Sequence, residues 1–307
     1  MSQPKIAIIG ANGMLASMVR TTAPEFSQLH LYDLPDFNIA NAEQVNTVLG
    51  ELQPDVIINC AAFTQVDNCE TQQELASAVN GQGPVHLAVA AKNFGAVLVH
   101  ISTDFVFSGD ATTPYREEAA TDPLSVYGAS KLQGEQAIVN SGLAEYYIVR
   151  TSWLYGPNGP NFVETIIRLA TEREELGIVA DQTGTPTYTA DLANAIWTLL
   201  SHVTRHSSPV TAHASTLAAP YGIYHYSNDG VCTWYDFACE IVRQLRDDNV
   251  SLKVKQIKPI TTDEYPVPAK RPAYSVMSKQ KIVAATGINI PPWQESLGKY
   301  LNGRFKD

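Results

Sequence analysis

Tyr127 and Lys131 stand four residues apart in Tyr127-Gly128-Ala129-Ser130-Lys131. On a helix that spacing places both side chains on one face, so a phenol and an ammonium can share a site. A phenol with an ordinary pKa of about 10 is a reluctant acid–base group at neutral pH. A cation nearby favours the phenolate and brings the group toward its working range. Thr103 follows the apolar run Ala96–Ser102, and its hydroxyl could join that of Tyr127 in gripping a carbonyl oxygen as it gains negative charge. Such a set would pass a proton to or from that oxygen. The spacing alone is weak, because a chain with 14 tyrosines can produce it by chance.

A second constellation supplies the context. The amino-terminal apolar run ends in Gly10-Ala11-Asn12-Gly13-Met14-Leu15-Ala16, which opens a helix. Gly10 permits the tight turn, Gly13 lets backbone approach a pyrophosphate, and the helix N-terminus offers N–H donors with a partial positive charge. Gly10, Asn12, Gly13, Met14 and Leu15 are therefore the expected cradle of a dinucleotide. Ala16 replaces the third glycine but is small enough for close helix–strand packing. Asp33 ends the second strand, where a carboxylate can bond the adenosine ribose and would repel a 2′-phosphate, favouring NAD over NADP. Its alternative is a solvated loop aspartate. With a nicotinamide in that crevice, Lys131 could also bond its ribose, and the chemistry becomes hydride transfer at a carbonyl.

These residues need elements to hold them. Lys5–Gly10, Leu29–Tyr32, Asp55–Cys60, Ala96–Ser102 and Tyr146–Thr151 are short, nearly all-apolar runs, as for strands covered on both faces. Ala42–Leu52, Glu74–Asn93 and Leu124–Ser141 suit the helices between them. That alternation predicts an α/β fold, a Rossmann-type doubly wound parallel sheet with right-handed crossovers. Ligands then lie beyond the carboxyl ends of the strands, where Thr103 stands. Further on, 161–173, 191–200 and 233–246 read as helices and Gly222–Tyr226 as a late strand, with Asp181–Thr189 a loop. Thr204–Pro220 reads as a polar surface loop, and the proline-rich tail as loops and short pieces. Residues 1–153 with about 186–226 are expected to form the NAD(P)-binding domain. About 154–185 with 227–307 are expected to form a smaller C-terminal substrate-binding lobe.

Composition narrows the partners. Hydrophobic residues are 45% and charged ones 17% of 307, as in an ordinary globular protein. A net charge of −10 argues against a broad nucleic-acid surface. The amino terminus lacks a signal-peptide pattern and no apolar run is long enough to span a bilayer, so the cytoplasm is expected. Cys60, Cys69, Cys232 and Cys239 make no C-x-x-C pair and read as reduced thiols.

Gly10, Gly13, Thr103, Tyr127 and Lys131 together resemble the extended short-chain dehydrogenase/reductases. More narrowly, PDVIINCAAFTQVDNCE (54–70), HISTDFVFSG (100–109), PLSVYGASKLQGE (123–135), VRTSWLYG (149–156), DQTGTPT (181–187) and KRPAYS (270–275) are similar to the dTDP-4-dehydrorhamnose reductases. The likeness runs in order along nearly the whole chain, with Ala16 and a long 204–220 connection as departures. It implies reduction by NADPH or NADH of the C4 keto group of dTDP-4-dehydro-β-L-rhamnose to dTDP-L-rhamnose. Tyr127 would donate the proton, Lys131 would tune it, and Thr103 would orient the carbonyl. By position Ala61, Ala62 and Thr64 would line the crevice, with Asp67 near it and Asn80 in its polar network. Asp104 and Trp153 would contact the sugar or base, and Arg271 suits a diphosphate, since a guanidinium fork matches phosphate oxygens. Trp153 as a core aromatic and Arg271 in a surface ion pair are the alternatives.

Two rival readings remain. A nucleotide-sugar epimerase or dehydratase of the same fold would return the hydride within one turnover, and a dehydratase wants two acids after the threonine. Here Asp104 is followed by Phe105. A non-catalytic regulatory subunit is the other, against which the intact Thr103, Tyr127 and Lys131 speak. The sequence leaves open the exact keto-sugar, the coenzyme preference, the assembly (a homodimer being one possibility) and a requirement for Mg2+. Glu172, Glu174 and Glu175 read as a solvated helix face rather than ligands.

Overall fold

Lys5–Ile9 (β1) is KIAII, four of its five residues buried, and its apolar side chains face both ways because helices cover both faces. The structure is a computed structural model and describes residues 3–25, 27–205, 208–209 and 219–304. The expected 204–220 loop therefore lies mostly outside the described residues. Gln28–Tyr32 (β2), Val56–Asn59 (β3), Val97–Thr103 (β4) and Tyr146–Thr151 (β5) follow β1. Beyond Glu175–Val179 (β6), Gly222–His225 (β7) completes one sheet in the order β7-β5-β4-β3-β1-β2, every pairing parallel.

The chain steps from β1 to one side for β2, then crosses to the other side for β3. The switch in strand order lies between β1 and β3, the place where an open parallel sheet forms a crevice. Met14–Thr21 (α1) packs on one face with Thr189–Leu199. Leu15, Val19, Leu192 and Ile196 are buried there, and Trp197 Nε1 donates to the Val19 carbonyl at 3.1 Å. Ala42–Leu52 (α2), Gly83–Phe94 (α3) and Val126–Asn140 (α4) cover the other face, joined by Leu49, Leu87, Ala91 and Ile138. At about 1.5–3 kcal/mol for each large apolar side chain removed from water, these two layers fix the sheet and hence its carboxyl edge.

A smaller lobe is built from Phe162–Glu172 (α5), Trp234–Asp247 and Trp293–Arg304 around Ile166, Phe237, Ile241 and Leu297. Here α6 is Thr189–Leu199, α7 Trp234–Asp247 and α8 Trp293–Arg304. Strand β6 pairs in parallel with Gln256–Ile260 (β8). The capping box of Thr233 with Asp236 starts α7.

Three expectations need correction. The helix expected over Glu74–Asn93 is broken into Gln73–Ala76, a π-helical stretch Ser77–Gln82, and α3. Pro84 lacks the N–H that would bond Asn80, and its ring crowds that carbonyl, so a regular α-helix cannot run through. The tail is more ordered than its prolines imply. Pro291 and Pro292 stand just ahead of α8, where a missing N–H costs nothing, and the helix runs on for 12 residues. Of the three glutamates read as one helix face, only Glu172 is helical. Glu174 and Glu175 lie at β6 and pair with Lys255 and Lys258 at 3.0 and 2.6 Å.

Candidate functional site

The end of β4 and the first turns of α4 bring Thr103, Tyr127 and Lys131 together. Helix α4 starts at this spot because Ser125 caps it, accepting from the Gly128 N–H at 3.2 Å, while Glu70 accepts from the Val126 N–H at 2.9 Å. Phe105 meets the Tyr127 ring edge-on at 5.5 Å. Gly128 is what lets the turn after β4 lie against this helix, since a Cβ there would stand 2.2 Å from the Phe105 carbonyl oxygen.

Burial pushes the Tyr127 hydroxyl above the ordinary phenol range, with the Thr103 hydroxyl pulling it back and Asp104 adding to the rise. Lys131, expected to lower it, is not among the groups that move it, and burial keeps the phenol in its protonated form. Lys131 is itself buried, and desolvation lowers its pKa to about 8 against the pull of Glu135 and Cys60. Its Nζ donates to the Ile101 carbonyl at 2.7 Å and stands 3.3 Å from His100 Nε2. Thr103 donates to Asp104 Oδ1 at 3.1 Å and accepts from the Phe105 N–H at 3.2 Å. Asp104 Oδ2 is buried without a partner, and burial lifts this carboxyl to about 6 against hydrogen bonds from Ser275 and Thr103.

Two hollows lie beside this centre, one lined by Asp104 and the other by Cys60. A cleft of about 300 Å³ is lined by Gly10, Gly13, Asp33, Ala61 and Ala62 among others. Its fit to a dinucleotide can be tested on the backbone. Gly10 has φ +75° and a Cβ on it would lie 2.7 Å from the Ala61 backbone, so only glycine lets the two loops touch at the switch point. Helix α1 starts at Gly13 with no side-chain cap and no acid in its first turn, which leaves its N–H donors to an anion. The residues present fit a pyrophosphate. Asp33 accepts from the Asn12 and Leu34 N–H groups at 2.7 and 2.8 Å, so it also splints the glycine loop to the end of β2. The remaining expected contacts are not on the lining. Leu15 points into the core, Met14 packs on Gly159 with its sulfur 3.7 Å from Asn161 Nδ2, and Thr64 is exposed.

The second hollow, about 540 Å³, lies against the small lobe and is lined by Asp104, Trp153, Trp234, Phe162, Arg271 and Ser275 among others. Trp153 holds a left-handed φ of 48° and stacks on Trp234 with centroids 3.6 Å apart, while Gly184 leaves room for its ring. A bulky residue in that conformation costs of order 1–3 kcal/mol, sustained here by the stack. Arg271 is not free: its fork grips Asp67 at 3.0 and 2.9 Å and holds that carboxyl below the usual range. A diphosphate would have to share or displace Asp67. Asn80, on the π-stretch, accepts from the Phe63 N–H at 2.8 Å and donates to the Phe63 carbonyl and to Ser130. It thereby ties the loop after β3 to α4.

Sequence reasoning passed over several residues. Glu135 and Arg150 form a buried double-ended pair at 2.6–3.2 Å that also takes the Ser102 hydroxyl, one residue before Thr103. His100 and Asn59 lie beneath Lys131. A polar residue inside an otherwise apolar strand is the signal that marks His100, and to a lesser degree Arg150. Trp234 and Phe162 carried no motif. Among the described residues no group of three or more His, Cys, Asp or Glu is placed to hold a metal ion, and no helix is long and apolar enough to cross a membrane.

Residues 4–304 match the model of the RmlD substrate binding domain family. The chain is 40% identical to the spore coat polysaccharide biosynthesis protein SpsK of Bacillus subtilis, over 98% of both chains. It is 41% identical to the solved structure of a dTDP-4-dehydrorhamnose reductase from Clostridium acetobutylicum, covering 98% of this chain and 99% of that one with a TM-score of 0.88. A dTDP-4-dehydrorhamnose reductase of Bacillus anthracis solved in complex with NADP is 39% identical, with coverage of 98% and 99% and a TM-score of 0.87.

Proposed function

The chain belongs to the RmlD substrate binding domain family, and from that premise we propose that it is a dTDP-4-dehydrorhamnose reductase using NADPH or NADH. The observation that carries the reading is the junction of β4 and α4, which sets Thr103 against Tyr127 and buries Lys131 one helical turn on, beside Asp104 on the lining of the small-lobe hollow and Cys60 on that of the glycine-loop cleft. The reduced nicotinamide, when bound, supplies the hydride taken up by the C4 carbonyl carbon of the keto-sugar. Thr103 and Tyr127 grip the carbonyl oxygen, and their hydrogen bonds strengthen as charge develops there. The phenol, held protonated by burial, gives that oxygen its proton. Gly10, Gly13 and the first N–H groups of α1 take the pyrophosphate, with Asp33, Ala61 and Ala62 beside it. Trp153, Asp104 and Arg271 serve the nucleotide-sugar.

In this reading residues 1–153 with about 186–226 bind the cofactor, and about 154–185 with 227–307 bind the substrate. The enzyme works in the cytoplasm, and a homodimer is the assembly that light scattering would test. The deciding experiment supplies dTDP-4-dehydrorhamnose through coupled upstream enzymes and follows NADH and NADPH oxidation by absorbance. Consumption of reduced cofactor with dTDP-rhamnose as product supports the reading. Folded protein that binds a cofactor and consumes none would turn the assignment to another keto-sugar or to a regulatory subunit.

A further inference from the structure

His100 sits in the middle of β4 and is 1% exposed, with no part in the chemistry above. Both ring nitrogens have a partner: Asn59 Nδ2 lies 3.0 Å from Nδ1, and Lys131 Nζ lies 3.3 Å from Nε2. The tautomer follows from a third contact. The Ala61 backbone N–H, which can only donate, reaches Asn59 Oδ1 at 3.1 Å. That fixes the amide with its oxygen toward Ala61 and its NH2 toward the imidazole. His100 Nδ1 must then accept, and a neutral ring carries its hydrogen on Nε2, facing Lys131. A doubly protonated ring would oppose both neighbours and is disfavoured further by burial and by the Lys131 charge.

An Nε2–H aimed at an ammonium sets donor against donor. Aimed at a neutral amine it makes a hydrogen bond, while the amine still donates to the Ile101 carbonyl. We propose that His100, locked as its Nε2–H tautomer by Asn59 and Ala61, is a positioning residue that stabilises the uncharged form of Lys131. The other groups acting on Lys131 are Glu135 on its own helix and Cys60 just after β3, while Tyr127 shares its helix face one turn back; the Glu135 carboxylate is engaged by Arg150 and Ser102. The tautomer lock thereby makes Lys131 a readier proton donor. This rests on the reading of Lys131 as the partner of Tyr127.

The test uses the full-length protein without cofactor. Long-range 1H–15N correlation spectra of the His100 ring should show Nε2 protonated and Nδ1 bare across the folded pH range. A Nδ1–H ring, or an imidazolium near neutral pH, overturns the proposal. With 13Cε-lysine, the resonance lost in Lys131→Met should titrate near pH 8 in the wild type. In His100→Leu it should bind its proton about tenfold more tightly, a rise of about one pH unit, and the basic limb of the kcat/KM profile should move with it. An unmoved Lys131 midpoint also overturns the proposal. If His100→Leu does not fold, the ring spectra of the wild type decide alone. A protein that titrates as stated but reduces no keto-sugar would sink the reductase reading and leave this one standing.

Discussion

Gly128 separates positioning from chemistry, because it carries no side chain and yet spaces the two hydroxyls of the site. A Cβ at this position would stand 2.2 Å from the Phe105 carbonyl oxygen, 3.0 Å from its carbon and 3.0 Å from Pro123 Cβ. A carbon–oxygen contact needs a little over 3 Å, so in Gly128→Ala the start of α4 and the turn after Thr103 must part by about 1 Å. The obstacle is backbone, which cannot swing aside as a side chain would. Tyr127 is carried by one of those segments and Thr103 by the other. A displacement of about 1 Å between catalytic groups costs roughly a hundredfold in rate, or about 2.7 kcal/mol of transition-state stabilisation. Overpacking adds a stability loss of about 1–3 kcal/mol. The assay is NADPH oxidation with dTDP-4-dehydrorhamnose, beside cofactor affinity measured by nicotinamide fluorescence and a melting curve. The glycine loop is built on β1 and α1, so cofactor affinity should change little while kcat/KM falls about a hundredfold. Activity within threefold of wild type from stable Gly128→Ala protein would refute the claim that this contact sets the spacing of Thr103 and Tyr127.

Three further outcomes follow from the site. Tyr127→Phe should nearly abolish turnover and leave cofactor affinity largely intact, and wild-type-like rates would remove the phenol from the mechanism. Asp104 takes up its proton more readily folded than unfolded, with a pKa of about 6 against 3.8, so its share of stability is present at low pH and is lost as pH rises from about 4 to 6. Asp104→Asn should flatten that fall and raise stability at pH 7, by at most about 3 kcal/mol, in urea titrations at pH 4 and pH 7. Asp67→Asn frees the Arg271 fork from a full negative charge. If Arg271 meets the diphosphate, KM for the nucleotide-sugar should fall severalfold with kcat nearly unchanged; a rise in KM would show that Asp67 holds Arg271 in its working place.

Much of this protein was legible in its sequence because the relevant physics is local. Short all-apolar runs separated by helix-length segments determine covered parallel strands, since nothing else buries residues that are apolar on both faces. A Gly10 turn leading into a helix predicts an anion cradle, and four-residue spacing puts Tyr127 and Lys131 on one helix face. The tertiary structure decided what depends on neighbours far apart in the chain. Arg271 met Asp67 across some two hundred residues, and Trp153 met Trp234 in the small lobe. Burial, which no spacing reveals, kept Tyr127 protonated and brought Lys131 down to about 8. The helix through Asn80 broke because Pro84 interrupts it, and the break presents Asn80 to both the loop after β3 and Ser130. The proton on His100 was decided by a backbone N–H on the neighbouring strand's loop, since hydrogen-bond direction belongs to the assembled network rather than to any residue in it.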